Sequence, residues 1–222
     1  MYLPSDACEL TLDPNTANGR LSLSEDSRKV TRVEEDQSYP DHPERFDALY
    51  QVLCREGLTG RCYWEVEWGG EVYIGVVYRG MTRRGAGTDS VLGWNNKSWS
   101  LDCDDDDAAA PYAAYHNGSR TAIRLPPPRS NRVGVYLDRP AGSLFFYSVS
   151  QGVGGSSDTL THIHTFQSTF TQEDLLPGFE FPSFSGSFSH SMSLCNLKSL
   201  SLSSPGLRTH RNTECTQYSM HI

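Results

Sequence analysis

The chain has 222 residues, 37% of them hydrophobic, and its 27 Asp and Glu outnumber 19 Lys and Arg to give a formal charge of -8. That charge argues against a nucleic-acid partner and against an anionic membrane surface, both of which draw on clustered Lys and Arg. No window approaches the roughly 18 apolar residues of a membrane-crossing helix, and Met1-Tyr2-Leu3-Pro4-Ser5-Asp6 lacks the basic and apolar regions of an export signal, so the expectation is a soluble, cytoplasmic chain without membrane insertion.

Taken in order, Leu10-Thr11-Leu12 and Leu21-Ser22-Leu23 flank Asp13-Pro14-Asn15 and Asn18-Gly19, so the chain opens as strand, turn and strand. Val30 to Val33 and Gln51 to Cys54 are short strand candidates. Cys62-Tyr63-Trp64-Glu65-Val66-Glu67-Trp68 alternates strictly, with Cys62, Trp64, Val66 and Trp68 on a core face and Tyr63, Glu65 and Glu67 on a wet one. Gly69-Gly70 turns the chain into Val72 to Tyr78, an apolar run continuous enough for a central strand. Ser98 to Leu101, Ala113 to His116 and Thr121 to Ile123 come next. Arg132 to Leu137 and Ser143 to Val149 then form a hairpin whose turn, Asp138-Arg139-Pro140-Ala141-Gly142, supplies a fixed and then a permissive φ. Thr161 to Phe166 and Met192 to Leu194 complete the series. Helical spacing is almost absent, so the class is all-β, a two-sheet sandwich whose core draws on eleven Tyr, nine Phe and four Trp. From Ser199 a Ser-rich, then polar, stretch reads as a flexible tail.

Six cysteines occur with no Cys-x-x-Cys pair, which spells out neither a zinc ribbon nor a redox motif. Reduced thiols fit this pattern best, Cys54 and Cys62 acting as small buried hydrophobes. In a secreted chain, Cys54 and Cys62 could instead pair, and Asn96-Lys97-Ser98 and Asn117-Gly118-Ser119 would be glycosylation acceptors.

An ordered set of motifs carries a family resemblance: Leu12-Asp13-Pro14, Trp64-Glu65-Val66-Glu67 and Leu137-Asp138. Leu21-Ser22-Leu23-Ser24, Tyr39-Pro40-Asp41-His42-Pro43-Glu44-Arg45-Phe46, Gly60 to Trp64, Lys97 to Leu101 and Pro177-Gly178-Phe179 add to it. Over residues 8 to 198 the chain resembles a PRY-SPRY domain, in the versions found at the C-termini of fish tripartite-motif proteins, NOD-like receptors and stonefish-toxin-like proteins. The resemblance implies a bent, concanavalin-like jelly-roll sandwich of two antiparallel sheets that binds a protein ligand through loops at one end and has no catalytic activity. It divides the chain into a lead (1–7), a PRY segment (8–46), an SPRY domain (47–198) and the tail (199–222). Two departures stand out. Arg139-Pro140 replaces the family's Tyr-Glu after Leu137-Asp138, and Asp104-Asp105-Asp106-Asp107-Ala108-Ala109-Ala110-Pro111 replaces a Ser-rich segment.

The candidate partner-binding residues follow from the loops. They are Tyr39 and His42 in the PRY segment; Arg79, Arg83, Arg84 and Asp89 in a basic, Gly-rich loop; Trp94, Asn96 and Trp99, where an exposed aromatic would anchor a ligand; Asp105 and Asp106; and Asn117 and Arg120. In the acidic run of Asp102 and Asp104 to Asp107, four consecutive Asp without a Gly do not supply the geometry of a calcium loop, so the run reads as solvated, able to steer a basic partner. His162-Ile163-His164 sets two imidazoles on one strand face with no third ligand nearby, which leaves no metal site. Neither a Gly-x-Ser-x-Gly elbow nor a phosphate-binding Lys loop is present, and nothing orients Cys103 toward His116, so no enzyme and no cofactor are expected. The functional expectation is a recognition module in innate immune sensing or signalling. Its alternatives are the substrate-recognition end of a tripartite-motif ubiquitin ligase and a fragment of a secreted, toxin-like protein.

Overall fold

The computed structural model describes residues 6–107, 110–124, 130–152, 158–171, 173–183 and 190–197; the expected tail lies outside the described residues. Thirteen strands run through these: β1 (Leu21–Leu23), β2 (Lys29–Arg32), β3 (Tyr50–Leu53), β4 (Arg61–Gly69), β5 (Glu71–Tyr78), β6 (Ser98–Asp104), β7 (Tyr112–His116), β8 (Ser119–Ile123), β9 (Arg132–Asp138), β10 (Ser143–Ser150), β11 (Thr159–Gln167), β12 (Leu175–Phe181) and β13 (Ser191–Leu194). They form two antiparallel sheets, a seven-stranded one ordered β1-β2-β13-β4-β9-β10-β11 and a six-stranded one ordered β3-β12-β5-β6-β7-β8. The all-β sandwich expected from the alternation is thus the fold.

The core lies between the sheets. Cys62, Trp64, Val66 and Trp68 of β4 meet Val72, Ile74 and Val76 of β5 and Trp99, Leu101 and Cys103 of β6 there. The outer face of β4 departs from expectation, because Tyr63 and Glu65 are buried rather than wet. The Tyr63 hydroxyl donates to Glu65 Oε1 at 2.6 Å, and buried Arg132 lies 3.5 Å from Glu65 Oε2 and 3.3 Å from Asp158 Oδ2. A side chain on Gly134, paired with Glu65, would collide with the Tyr63 ring, so glycine there is what lets the ring lie flat on the sheet.

Strand β12 escaped the sequence pattern because Pro177-Gly178 reads as a turn. In an antiparallel strand the N and C=O of one residue point the same way. The Pro177 carbonyl accepts from Cys54 N, just past the end of β3, so the missing N–H faces the margin of the ladder rather than β5. Leu10 to Leu12, expected as a strand, makes only an isolated bridge from Leu12 to Cys54.

The segment preceding β3 is bound tightly to the rest. Leu53 N donates to Thr16 Oγ1, Asn18 Nδ2 to the Phe46 carbonyl, and Arg45 Nη1 to the carbonyls of Pro14 and Ala17. Phe46 enters a second, smaller core on the outer face of the six-stranded sheet, with Leu53, Val77, Met81, Leu92 and Leu176. Reduced thiols throughout is corrected: Cys8 and Cys62 form a disulfide with Cα atoms 5.6 Å apart, while Cys54 and Cys103 are buried thiols. Cys62 therefore pairs with the cysteine that the bridge from Ala7 to Tyr63 brings alongside it, and not with Cys54.

Candidate functional site

Since Val72, Ile74 and Val76 point into the core, Glu71, Tyr73 and Gly75 face outward, and the register carries their rows across the sheet. One row is Tyr73, Asp102, Ala113 and Ala122; the next is Gly75, Ser100, Tyr115 and Arg120; Glu71 pairs with Asp104. Small side chains thus alternate with Tyr73, Asp102, Tyr115 and Arg120. A side chain at Gly75 would strike the Trp99 carbonyl and the Ser100 backbone, so this row closes only over glycine.

Trp94 is brought onto this face by the loop between β5 and β6. Gly93 adopts φ of 83°, a left-handed conformation natural to glycine, and its N–H donates to Ser98 Oγ at 2.7 Å. Asn95 Nδ2 donates to the carbonyls of Val91 and Thr88, and Leu92 N to Glu180 Oε2. Held this way, Trp94 stacks on Tyr115 with centroids 5.8 Å apart and remains 43% exposed, the only exposed large hydrophobic among the described residues. Tyr115 in turn lies 6.0 Å from Tyr73 and accepts from Arg120 Nε at 2.8 Å.

Beside these rings is a strongly acidic margin. Asp102 is partly buried, its Oδ1 is enclosed with no hydrogen-bond partner, and burial, with Glu71 and Asp104 adding, pushes its carboxyl up to about 7. Burial and Asp104 likewise raise Glu71. Asp105 Oδ2 accepts from Gly70 N, Asp104 Oδ1 from Asp106 N, and Asp107 Oδ1 from Ala110 N, so the acidic run ties its own turn. Oxygens of Asp104, Asp105 and Asp106 lie within 4.8 Å of one another.

Two sequence-predicted anchors are corrected. Trp99 is 3% exposed, packed edge-on to Tyr78 and Phe170 and face-on to His116, because it shares the inward phase of Leu101 and Cys103. Arg83 is 7% exposed. Its guanidinium donates to the carbonyls of Met81 and Arg79, lies over the Phe46 ring and meets Glu44 at 3.4 Å, so it fastens its loop to the preceding segment. Tyr39 is half-buried, its hydroxyl on the Leu21 carbonyl and its ring under Arg45.

The remaining candidates are at the surface. Arg79 pairs with Asp174 and Arg84 with Asp47, while His42 Nδ1 accepts from Glu44 N. Asp89, Asn96, Asp105, Asp106, Asn117 and Arg120 are exposed. Asn117 N donates to the Asn95 carbonyl, which joins the β7–β8 turn to the Trp94 loop. The two imidazoles do not share a strand face, because a bulge at Ile163 sets His162 against Tyr147 and His164 against Phe166. Sequence reasoning missed Tyr73 and Tyr115, and took Asp102 only as a member of the acidic run. The phase of β5 marks Tyr73 as outward, but its meeting with Asp102 and Tyr115 depends on a register across three strands.

The sequence matches the SPRY-associated domain PRY over residues 10–58 and the SPRY domain over residues 61–190. Stonustoxin subunit beta of Synanceia horrida is 41% identical over 78% of this chain, and tripartite motif-containing protein 14 of Mus musculus is 41% identical over 75% of it. Among solved structures, the stonustoxin structure superposes with a TM-score of 0.75 at 37% identity over 85% of this chain and 29% of its own. The TRIM65 PSpry domain does so with 0.69 at 27% identity over 86% of this chain and 92% of its own. The chain belongs to the PRY-SPRY family and is a protein-interaction module. It spans 23% of the stonustoxin subunit and 36% of the tripartite-motif protein.

Proposed function

We propose that the chain recognises a protein partner through the surface centred on Trp94, with Tyr115, Tyr73 and Arg120 beside it and Arg84 and Asp89 on the adjoining loop. One observation carries this reading: a large aromatic side chain is held 43% exposed on a second ring by a loop that is itself hydrogen-bonded. Such a residue buries area on binding at little entropic cost, as interface anchors do. The role that goes with it is recognition in innate immune sensing or signalling in the cytoplasm. Likeness to tripartite-motif proteins supports a related reading, the substrate-recognition end of a ubiquitin ligase whose RING part lies outside this chain. Crosslinking mass spectrometry of partners captured from cell lysate tests the surface: Trp94→Ala together with Arg84→Ala reduces capture by about tenfold or more at unchanged melting temperature. Unchanged capture would refute the assignment.

A second reading, a domain of a secreted, toxin-like protein, is favoured by the Cys8–Cys62 disulfide and by likeness to stonustoxin. Free-thiol titration of the protein purified from its native source separates the two, since an oxidised pair supports secretion and a reduced pair the cytoplasm.

A further inference from the structure

Asp102 is the group on this face that the fold leaves unfinished. Its neighbours along the row on the β7 side, Ala113 and Ala122, carry only methyl groups, so the row supplies Asp102 with no hydrogen-bond donor from β7 or β8. The nearest cation on the face, Arg120, is engaged with the Tyr115 hydroxyl at 2.8 Å. Two aromatic rings flank the position, Tyr73 beside Asp102 and Tyr115 one row on, and Trp94 extends the aromatic rim outward. The carboxyl groups of Glu71, Asp104 and Asp107 act on it electrostatically.

A half-buried carboxylate with no donor on its enclosed oxygen, the stacked Trp94–Tyr115 pair with Tyr73 beside it, and an acidic surround together fit one chemistry. A guanidinium is planar, stacks on tyrosine and tryptophan, and donates paired hydrogen bonds to a carboxylate. Lysine offers a point charge that is more strongly hydrated and cannot use the rings in the same way. We propose that Asp102, beside Tyr73 and one row from the Tyr115–Trp94 stack, receives an arginine side chain from a basic segment of the partner protein. This rests on the reading that the Trp94 surface is the partner-binding face, and it names what that face selects. Steering by the Asp104 to Asp107 run would raise the rate of encounter and weaken with salt, while Asp102 would set the specificity.

The charged and titratable groups facing Asp102 are Glu71 and Tyr73 from β5, Asp104 from its own strand, Tyr115 from β7, Arg120 from β8 and Asp107 from the following turn. With the free carboxyl partly protonated near neutral pH, an arriving guanidinium expels the proton, so binding tightens as pH rises from 6 toward 8.

The test uses the whole chain, labelled for NMR, and three peptides: acetyl-Gly-Arg-Gly-Arg-Gly-amide and its lysine and citrulline counterparts. The arginine peptide is expected to shift the Trp94 indole N–H and the Tyr73, Asp102 and Tyr115 signals saturably, the lysine peptide to bind several-fold more weakly, and the neutral citrulline peptide not to bind. Asp102→Asn should weaken the arginine peptide by about tenfold or more, the range for losing a charged hydrogen-bond partner, with a melting temperature no lower than wild type. Asp105→Asn with Asp106→Asn should lower affinity less and mainly at low salt. Equal binding of arginine and citrulline, equal binding of arginine and lysine, or an unchanged affinity in Asp102→Asn would each overturn the proposal. Lysate capture distinguishes its failure from that of the underlying reading. Capture lost in Trp94→Ala but kept in Asp102→Asn removes the arginine pocket alone, whereas capture kept in both removes the binding face.

Discussion

Glu180 shows how a single residue sets a measurable property of the protein. It is almost wholly buried on β12, and its Oε2 accepts from both Gln51 Nε2 and Leu92 N, at 2.8 and 2.9 Å. Burial pushes its carboxyl from the ordinary 4.5 up to about 8, with the Leu92 hydrogen bond opposing. Because the folded value is the higher one, its contribution to stability is fully present below pH 4.5 and is lost as pH rises through about 8. Glu65 and Asp102, each pushed up to about 7 chiefly by burial, act with the same sign. Thermal melting is therefore expected to be higher at pH 5.5 than at pH 8.5, with Glu180→Gln melting at or above wild type at pH 8.5 and showing a shallower pH dependence. Glu180→Ala, which strands the Gln51 and Leu92 donors, should cost about 2 kcal/mol. At the same scale, Trp94 and Trp99 show what local sequence could not separate. Both follow polar or small residues in one short segment, yet Trp99 falls in the inward phase of a strand and Trp94 on a loop, and the phase begins only where β6 starts pairing at Ser98.

Among the elements, the β9–β10 hairpin corrects the meaning of a family departure. Arg139 stands at the hairpin tip, where the family carries a tyrosine, and its guanidinium is taken up by backbone carbonyls. Nε donates to the Phe170 carbonyl, Nη1 to that of Leu58 and Nη2 to that of Glu173, which ties the tip to the chain leading into β12 and to the chain between β3 and β4. Phe170, fully buried at φ of 47°, is held in this left-handed conformation beside that clamp. Arg139→Ala should cost about 2 to 3 kcal/mol by urea unfolding, since carbonyls turned toward it lose a charged donor, and Arg139→Lys should recover only part because an ammonium cannot reach diverging acceptors as a fork does. Element phase was well legible where apolar and polar residues alternate, as in β4, and poorly where a special residue interrupts the pattern. Pro177 hid β12, and the bulge at Ile163 moved His162 and His164 to opposite surroundings.

For the whole molecule, the disulfide joins the start of the described chain to β4 across a sequence separation of 54 residues. Closing a loop of that length restricts the unfolded chain by about 4 kcal/mol in the chain-entropy account, so Cys8→Ser should lower stability by about 2 to 4 kcal/mol in urea unfolding under oxidising conditions. Under a reducing agent, wild type and variant should converge. The segment from Thr16 to Phe46 would keep much of its docking through Thr16, Asn18 and Arg45, so the fold is expected to survive the variant.

The sequence by itself determined the class of fold, most of the strands and the family, because alternation with a period of two and turn residues at set places act over a few neighbours and survive without any knowledge of the partner strand. It also named Trp94 as an anchor, though together with Trp99. Only the tertiary structure decided which outward residues meet. Tyr73, Asp102 and Tyr115 come from three strands and meet through their register, with glycine at position 75 admitting the β6 backbone and glycine at position 93 admitting Tyr115, and Cys8 reaches Cys62 only once the first segment lies along β4. A binding face on a sheet is a property of register, and register is fixed by contacts between residues far apart in the chain.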